Sequence, residues 1–537
     1  MAYSTFQRSR KRSSIARKYV FGLSVFIFLF AVTAALSFYY VRRRTEINEA
    51  SAARIPQDFS IQLGREEFVM GPANGKLDTA FITYPVEGGW RSFVAQGETE
   101  SAFTNDFNRF GQFEGIALDR GVRNSGVHDE CGSWLLSVDR IAPDRWIGWY
   151  HSEDSCNYVA GYTHKKIAYA ESYDQGKTWV KPDYPSNVVL TADEQYQGDR
   201  GTDDAGDGRV IRKDGYYYLF YLATGPNWRI HVARAPIISN GKPGTWLKYY
   251  CSAPASCDFT EPGIGGKSTP VNGLSGGSVF VSYNTYLDKY IMPFAGGKWG
   301  FQLAYAQPDD VINWSRVNIV PPVSFANDPK VDGSGLNRGD KRQWYNYASA
   351  ISTEGDSTTT GRVFYLYYIK NFPGEGTEAR YLVRRQVTLE KNPAGGPQNM
   401  IALARYERPD GKTITSTEFP NPKLGYQVRK VLGYIHGQEV PGSKPLSTCY
   451  IKIWDSYITI EQRNVDKSWE YCNNNPEVPF YKNEGWVSHR PSGTATVPLY
   501  RCFNSSLRNH FLTTEENCEG KSTEHRVLFG YISPGIK

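Results

Sequence analysis

The sequence lacks several motifs that mark metal-dependent or nucleotide-dependent proteins. It has no Cys-x-x-Cys pair, no histidines at zinc-ligand spacing and no calcium loop of the EF-hand type. No glycine-rich nucleotide-binding motif follows an apolar, strand-like segment. These patterns normally supply structural zinc sites, helix-flanked calcium sites and phosphate-binding loops. We therefore expect no cofactor of these kinds.

Acidic residues are missing from the first 44 positions, which hold nine of the 61 Lys and Arg residues. The remaining chain balances 52 basic against 55 acidic groups, so no nucleic-acid surface is indicated. Residues 19–41 are an almost uninterrupted apolar run, long enough to cross a bilayer. The basic cluster before it predicts a cytoplasmic segment (1–18), a signal anchor (19–41) and an extracytoplasmic remainder. A cleaved signal peptide is the alternative.

All eight cysteines follow the apolar run, and an even count on the translocated side favours disulfides. Sequence alone leaves their connectivity open. Pairing between neighbours would give the bonds Cys131–Cys156, Cys251–Cys257, Cys449–Cys472 and Cys502–Cys518.

Short aromatic strands separated by turns recur about every 45 residues from 75 to 391. The chain holds 51 Gly and 30 Pro, and 14% of its residues are aromatic, which suits an all-β protein. A sandwich would also contain many strands but would not repeat its motifs in order. We therefore predict a five-bladed β-propeller over 75–391, preceded by an unpatterned stalk (42–74). A structural calcium on its axis is left open.

Residues Ser172–Trp179 match the Asp-box of sialidases and other propellers. In this motif the Asp side chain binds the hairpin backbone, Gly permits the turn and Trp packs between strands. It therefore predicts a propeller hairpin and not a catalytic role.

After a linker at 392–400, three copies of about 40 residues follow in 401–537. A unit of that size cannot bury its own apolar face, so the copies should share one core. We predict a β-trefoil-like domain. Pro498–Arg501, His510–Thr514 and Gly530–Ile532 resemble an uncharacterised repeat family appended to secreted hydrolases, which implies a role in binding glycan or cell wall.

Inner propeller strands converge on the axis, so residues at strand ends can meet despite wide separation in sequence. Cleavage of a sugar bond normally needs a pair of carboxyl groups, one of them with a raised pKa. The catalytic candidates are Asp129 (base or nucleophile), Glu153 (acid) and Asp204 or Asp207 (supporting). The candidates for substrate binding are His128, His151, Trp149, Trp228, Glu261, Trp299, Asp340 and Trp344. Each of them also has a simpler reading as a turn residue, a hydrogen-bond partner or part of the core.

With five units and inward carboxylates, residues 75–391 resemble the five-bladed propeller glycoside hydrolases, such as arabinanases, arabinofuranosidases and fructosidases. The resemblance implies an Asp base or nucleophile, a Glu acid and a supporting Asp on different blades. It predicts a membrane-anchored enzyme acting on a cell-surface or cell-wall polysaccharide, such as one rich in arabinose or other furanose sugars.

Two alternatives stay open. One is a sialidase, which would need an arginine cluster for which Arg120, Arg123, Arg200 and Arg338 are available. The other is a non-catalytic glycan-binding or adhesion protein.

Overall fold

The computed structural model describes residues 56–535 except 74–75, 158–162, 194–204, 224–228, 275–278, 296–300, 321–344, 373–378, 395, 397, 463, 492–495 and 522. The predicted segments 1–18 and 19–41 lie outside these residues. Within the described part of the chain, no helix combines the length and the apolar character needed to cross a bilayer.

After strand β1 (Phe59–Met70), the chain forms four separate sheets of blade size in a propeller-like arrangement. The first contains β2 (Ile82–Val86), β3 (Gly89–Gln96), β4 (Glu98–Thr104) and β5 (Gln112–Leu118). The second contains β6 (Gly132–Arg140), β7 (Trp146–Glu153), β8 (Lys165–Ser172) and β9 (Val188–Leu190). The third contains β10 (Ala205–Lys213), β11 (Tyr216–Ala223), β12 (Arg229–Pro236), β13 (Leu247–Ala253) and β14 (Ser256–Pro262). The fourth contains β15 (Ser282–Asn284), β16 (Lys289–Ala295), β17 (Phe301–Ala306) and β18 (Ser315–Val320), and after β19 (Tyr345–Ser352) it gains the short β20 (Thr359–Thr360).

The strands of the predicted fifth unit do not form a separate sheet. Strands β19, β21 (Val363–Lys370) and β22 (Tyr381–Lys391) pair in order, β22 pairs with β1, and β1 continues into the C-terminal strands as one 13-stranded sheet. The prediction of five separate blades is therefore corrected to four. The predicted stalk is also wrong in part, because β1 lies within 42–74 and buries Phe59, Ile61 and Leu63.

Aromatic side chains fill the spaces between successive sheets. In β7, for example, all eight residues are buried, as expected for a strand covered on both faces. The ring pairs that link neighbouring sheets, with their centroid distances, are Phe93–Trp179 (6.3 Å), Trp149–Tyr217 (5.2 Å), Phe220–Trp314 (5.8 Å), Phe301–Tyr368 (4.5 Å) and Phe81–Tyr367 (4.8 Å). Edge-to-face and tilted contacts of this kind add to the stabilisation from burial.

The Asp-box has the structural role predicted for it. Asp174 accepts hydrogen bonds from the backbone N–H of Thr178 (2.9 Å) and from the hydroxyls of Thr178 (2.6 Å) and Ser172 (2.8 Å). Gly176 has a φ of 81°, and the Trp179 indole donates to its carbonyl at 3.1 Å. The hairpin is thereby fixed and Trp179 is held against the first sheet.

The structure contains four disulfides, and each joins neighbouring cysteines: Cys131–Cys156, Cys251–Cys257, Cys449–Cys472 and Cys502–Cys518. Because each bond closes a short segment, it staples one hairpin or one copy rather than distant parts of the chain.

The C-terminal region repeats a hairpin followed by a third strand three times. Its elements are β23 (Asn399–Glu407), β24 (Thr413–Ser416), β25 (Gln427–His436), β26 (Ser443–Ile451), β27 (Ser456–Glu461), helix α1 (Val465–Asn473), β28 (Phe480–Ser488), β29 (Val497–Asn504), β30 (Asn509–Thr513) and β31 (Thr523–Ile532). Strands β25, β28 and β31 meet in a closed triangle through the pairs His436–Trp486, Ser488–Tyr531 and Tyr434–Ser533. The β-trefoil assignment itself stays a prediction.

One glycine per copy makes this triangle possible. Gly433, Gly485 and Gly530 have φ values of 156°, 137° and 146°. A Cβ atom on each would lie 2.6–2.7 Å from a carbonyl oxygen of the neighbouring copy. Only glycine fits both the backbone conformation and the close approach.

Candidate functional site

Carboxylates from different sheets meet around a buried histidine. His151 lies near the end of β7, with its Nε2 atom 3.0 Å from Glu153 Oε1 and its Nδ1 atom 3.5 Å from Asp207 Oδ1. Lys165 Nζ lies 4.0 Å from the same Glu153 oxygen. The second and third sheets therefore supply an acid–histidine–acid arrangement.

A third carboxylate, Asp78, lies just before the first sheet. Its Oδ1 atom accepts hydrogen bonds from the Tyr347 hydroxyl (2.9 Å) and from the Arg380 guanidinium. Asp207 is close enough for its charge to raise the pKa values of both Asp78 and Tyr347. We call Asp78, His151, Glu153, Asp207, Tyr347 and Arg380 the axial cluster.

Two β-bulges direct side chains into the axial cluster. The register of β10 against β11 shifts between Gly206 and Arg209, and Asp207 within that shift has a φ of 42°. The register of β19 against β21 shifts between Asn346 and Ser349, and Tyr347 within it has a φ of 49°. Bulges commonly re-aim side chains beside functional sites, and a bulky residue at positive φ is a real backbone outlier.

Gly206 lets the His151 ring approach the third sheet. A Cβ atom at Gly206 would lie 2.7 Å from both Cε1 and Nδ1 of His151. Any larger residue would push the imidazole away from Asp207.

The pKa values within the axial cluster are shifted in different directions: those of His151 and Asp78 are raised, and that of Asp207 is lowered. Burial alone lowers the pKa of His151, but the hydrogen bonds and charges of Asp207 and Glu153 outweigh it and raise that pKa to about 9. The Asp207 backbone N–H also points at Nδ1, at 3.1 Å. A ring protonated on both nitrogens cannot accept that bond. Two adjacent carboxylates nevertheless stabilise the charged ring more strongly than one neutral hydrogen bond stabilises the neutral ring.

The pKa values of the two aspartates, Asp78 and Asp207, are shifted in opposite directions. Burial alone raises the pKa of Asp207, but the hydrogen bond and charge of His151 and the charge of Lys165 lower it below its usual range. Burial raises the pKa of Asp78, which Arg380 and Tyr347 only partly offset. Paired carboxyl groups whose pKa values diverge can divide the roles of acid and base.

Asp129 and His128 belong to another cluster. Asp129 accepts a hydrogen bond from Lys181 Nζ at 2.7 Å and lies 3.4 Å from the Tyr150 hydroxyl. His128 stacks on Tyr184 with a centroid distance of 4.9 Å, and burial lowers its pKa to about 4. These contacts describe a partly buried ion pair, and among the described residues none of them joins the predicted base, Asp129, to the axial cluster.

Two further candidates lie elsewhere. Trp149 is fully buried between Tyr217 and Trp246 and donates from its indole to the Gly241 carbonyl at 3.2 Å, so it is a core residue. Glu261 lies in the β13–β14 hairpin and accepts a hydrogen bond from the Lys267 backbone.

Five of the predicted site residues lie outside the described residues, namely Asp204, Trp228, Trp299, Asp340 and Trp344. Of the four arginines offered for a sialidase, Arg120 pairs with Glu98 at 3.3 Å, and Arg200 and Arg338 also lie outside the described residues.

Sequence reasoning missed Asp78, Tyr347 and Arg380. The sequence does carry a signal for Asp78, because this acidic residue lies shortly before the strand β2, just as Asp129 lies shortly before β6. Tyr347 and Arg380 gave no comparable signal, since their roles depend on a bulge and on a partner about 300 residues away.

No family model and no curated protein matches this chain. Solved structures similar to it include a family 117 glycoside hydrolase from the marine bacterium Zobellia galactanivorans (11% identity, TM-score 0.38, covering 62% of this chain and 90% of that one). A GH62 α-L-arabinofuranosidase catalytic domain from Coprinopsis cinerea has 13% identity and a TM-score of 0.37, with coverages of 62% and 97%. A thermostable family-43 glycoside hydrolase has 14% identity and a TM-score of 0.35, with coverages of 67% and 98%.

Proposed function

We propose that this protein is a glycoside hydrolase whose reaction takes place at the axial cluster. The observation that carries the proposal is the convergence of Asp78, Glu153 and Asp207 from different sheets, with the pKa of Asp78 raised and that of Asp207 lowered. Glycosidic bonds are cleaved by such a pair, one carboxyl group protonated and the other ionised.

The roles follow from the contacts. Asp207 is kept ionised by His151 and acts as base or nucleophile. Asp78 acts as proton donor, with the proton on Oδ2, because Arg380 and Tyr347 both donate to Oδ1. Glu153 and Asp207 contact opposite nitrogens of His151, so Glu153 positions and charges the histidine rather than serving as the acid.

The membrane anchor and the substrate belong to the same proposal. The enzyme would be anchored by residues 19–41 and act outside the cytoplasm on a cell-surface or cell-wall polysaccharide, one rich in furanose sugars being the first substrate to test. Four disulfides support an oxidising compartment.

The test is the release of reducing ends from a panel of arabinose-containing and other cell-wall polysaccharides. Asp207→Asn and Asp78→Asn should each lower the rate by about 10²–10⁴-fold, the usual contribution of a catalytic acid or base. Asp139→Asn is the matched control, because Asp139 is a poorly exposed carboxylate paired with Arg212 away from the cluster.

Two results would overturn the proposal. One is release that survives both axial substitutions, which would move the chemistry elsewhere. The other is binding of polysaccharide without any release, which would favour the adhesion alternative.

A further inference from the structure

The three C-terminal copies enclose a pocket where β25, β28 and β31 meet. Its volume is about 170 Å³. Each copy contributes the aromatic residue that directly follows its glycine in the triangle of strands, namely Tyr434, Trp486 and Tyr531. Each also contributes the polar residue two positions later, namely His436, Ser488 and Ser533. Three weakly similar repeats therefore place equivalent side chains around one point.

The pocket has a rigid frame. The pairs His436–Trp486, Ser488–Tyr531 and Tyr434–Ser533 lock the three strands together beneath the aromatic rings. Trp486 is 8% exposed, whereas Tyr434 and Tyr531 are half-buried and remain open to solvent. A ligand would therefore meet a preformed surface and lose little affinity to ordering of the protein.

The pocket is uncharged. The described residues that line it include no Asp, Glu, Lys or Arg. Burial lowers the pKa of His436, which keeps its imidazole neutral at neutral pH. An ionic ligand would find no counter-charge there.

Polar groups remain available inside it. The Thr496 hydroxyl oxygen is buried and has no hydrogen-bond partner among the described residues. The Gln398 amide and the Ser488 hydroxyl, which lies 3.4 Å from His436 Nε2, add further donors and acceptors. Buried polar atoms of this kind gain from a partner supplied by a ligand.

We propose that this pocket binds one neutral sugar ring of a glycan, at a site separate from the axial cluster. A cavity of about 150 Å³ holds a six-membered ring. Sugar rings have apolar C–H faces that pack on aromatic rings and hydroxyl edges that hydrogen-bond to side chains such as those of Gln398, Ser488 and Thr496. The site would hold the enzyme on its polymer without taking part in the reaction.

The test uses the full chain labelled with 5-fluorotryptophan and observed by fluorine NMR. Loss of a resonance in Trp486→Phe assigns the signal of Trp486. The probes are methyl glycosides of arabinofuranose, glucose, galactose and mannose, with choline chloride as a cationic probe. We expect at least one glycoside to shift the Trp486 resonance saturably. The resonance of Trp454, which lies between β26 and β27, packs on Phe503 and does not line the pocket, should stay unchanged.

Variants make the result specific. Tyr531→Ala should weaken that binding at least tenfold, and Trp454→Ala should leave it unaltered. The binding should also persist in Asp207→Asn, so that failure of the pocket and failure of the proposed hydrolysis are separate results. The inference is overturned if no glycoside shifts the Trp486 resonance, if Tyr531→Ala binds as tightly as the parent chain, or if only choline binds.

Discussion

A buried network of charges lies between β1, the strands beside it and the C-terminal copies. Lys370 Nζ lies 2.6 Å from Glu66 and 2.9 Å from Glu418. Arg385 also contacts Glu66, and Lys482 contacts Glu418 and Glu484. The three cations and three carboxylates cancel, and Lys370 and Glu66 are fully buried.

We predict that Lys370→Met strongly destabilises the protein. The substitution keeps an apolar stem of similar length but leaves the network with one uncompensated negative charge. Breaking a buried ion pair from one side typically costs about 3–5 kcal/mol. Because Lys370 bridges two carboxylates, we expect the loss in the free energy of unfolding to fall within this range.

The measurement is urea unfolding followed by both circular dichroism and tryptophan fluorescence, so that coincident transitions justify a single free energy. Lys467→Met is the matched control, since its ion pair with Glu470 is about half exposed and should contribute less than about 1 kcal/mol. Adding Glu66→Gln to Lys370→Met restores neutrality and should recover part of the loss.

A loss for Lys370→Met no larger than that of the Lys467 control would refute the reasoning. It would mean that water or rearrangement compensates the network, and that the junction between β1 and the C-terminal copies depends on apolar packing alone.

Three further predictions follow from local geometry. Asp207→Asn should lower the pKa of His151 from about 9, because burial is then opposed by Glu153 alone, and a ¹³C NMR titration that still gives about 9 would contradict the assignment. In the parent chain, protonated His151 stabilises the fold fully below roughly pH 6.5, and this stabilisation is lost as the pH rises through about 9. The free energy of unfolding, measured at a series of pH values, should therefore fall over that window. Gly485→Ala should lower the free energy of unfolding by more than about 1 kcal/mol, because Gly485 has a positive φ and a carbonyl oxygen lies too close for a Cβ atom. Gly442→Ala is the control and should lower it less, because Gly442 also has a positive φ but no atom lies near its Cβ position.

The sequence alone determined the local architecture. The sequence predicts the hairpin spacing, the Asp-box at Ser172–Trp179 and the three C-terminal copies, because each depends on residues close together in the chain. The sequence leaves the cysteine connectivity open, with pairing of neighbours as one option, and the four bonds in the structure follow that option.

Tertiary structure alone decided which carboxylates share a site. Asp129 and Asp207 look alike in sequence, because each is acidic and lies near the start of a strand. In the folded chain Asp129 forms an ion pair with Lys181, whereas a bulge turns Asp207 toward His151. The pairing of β1 with β22, more than 300 residues later, likewise has no local signal. Periodicity records which residues are buried, whereas register shifts and distant charged partners decide which side chains meet, and these depend on contacts that only the folded chain makes.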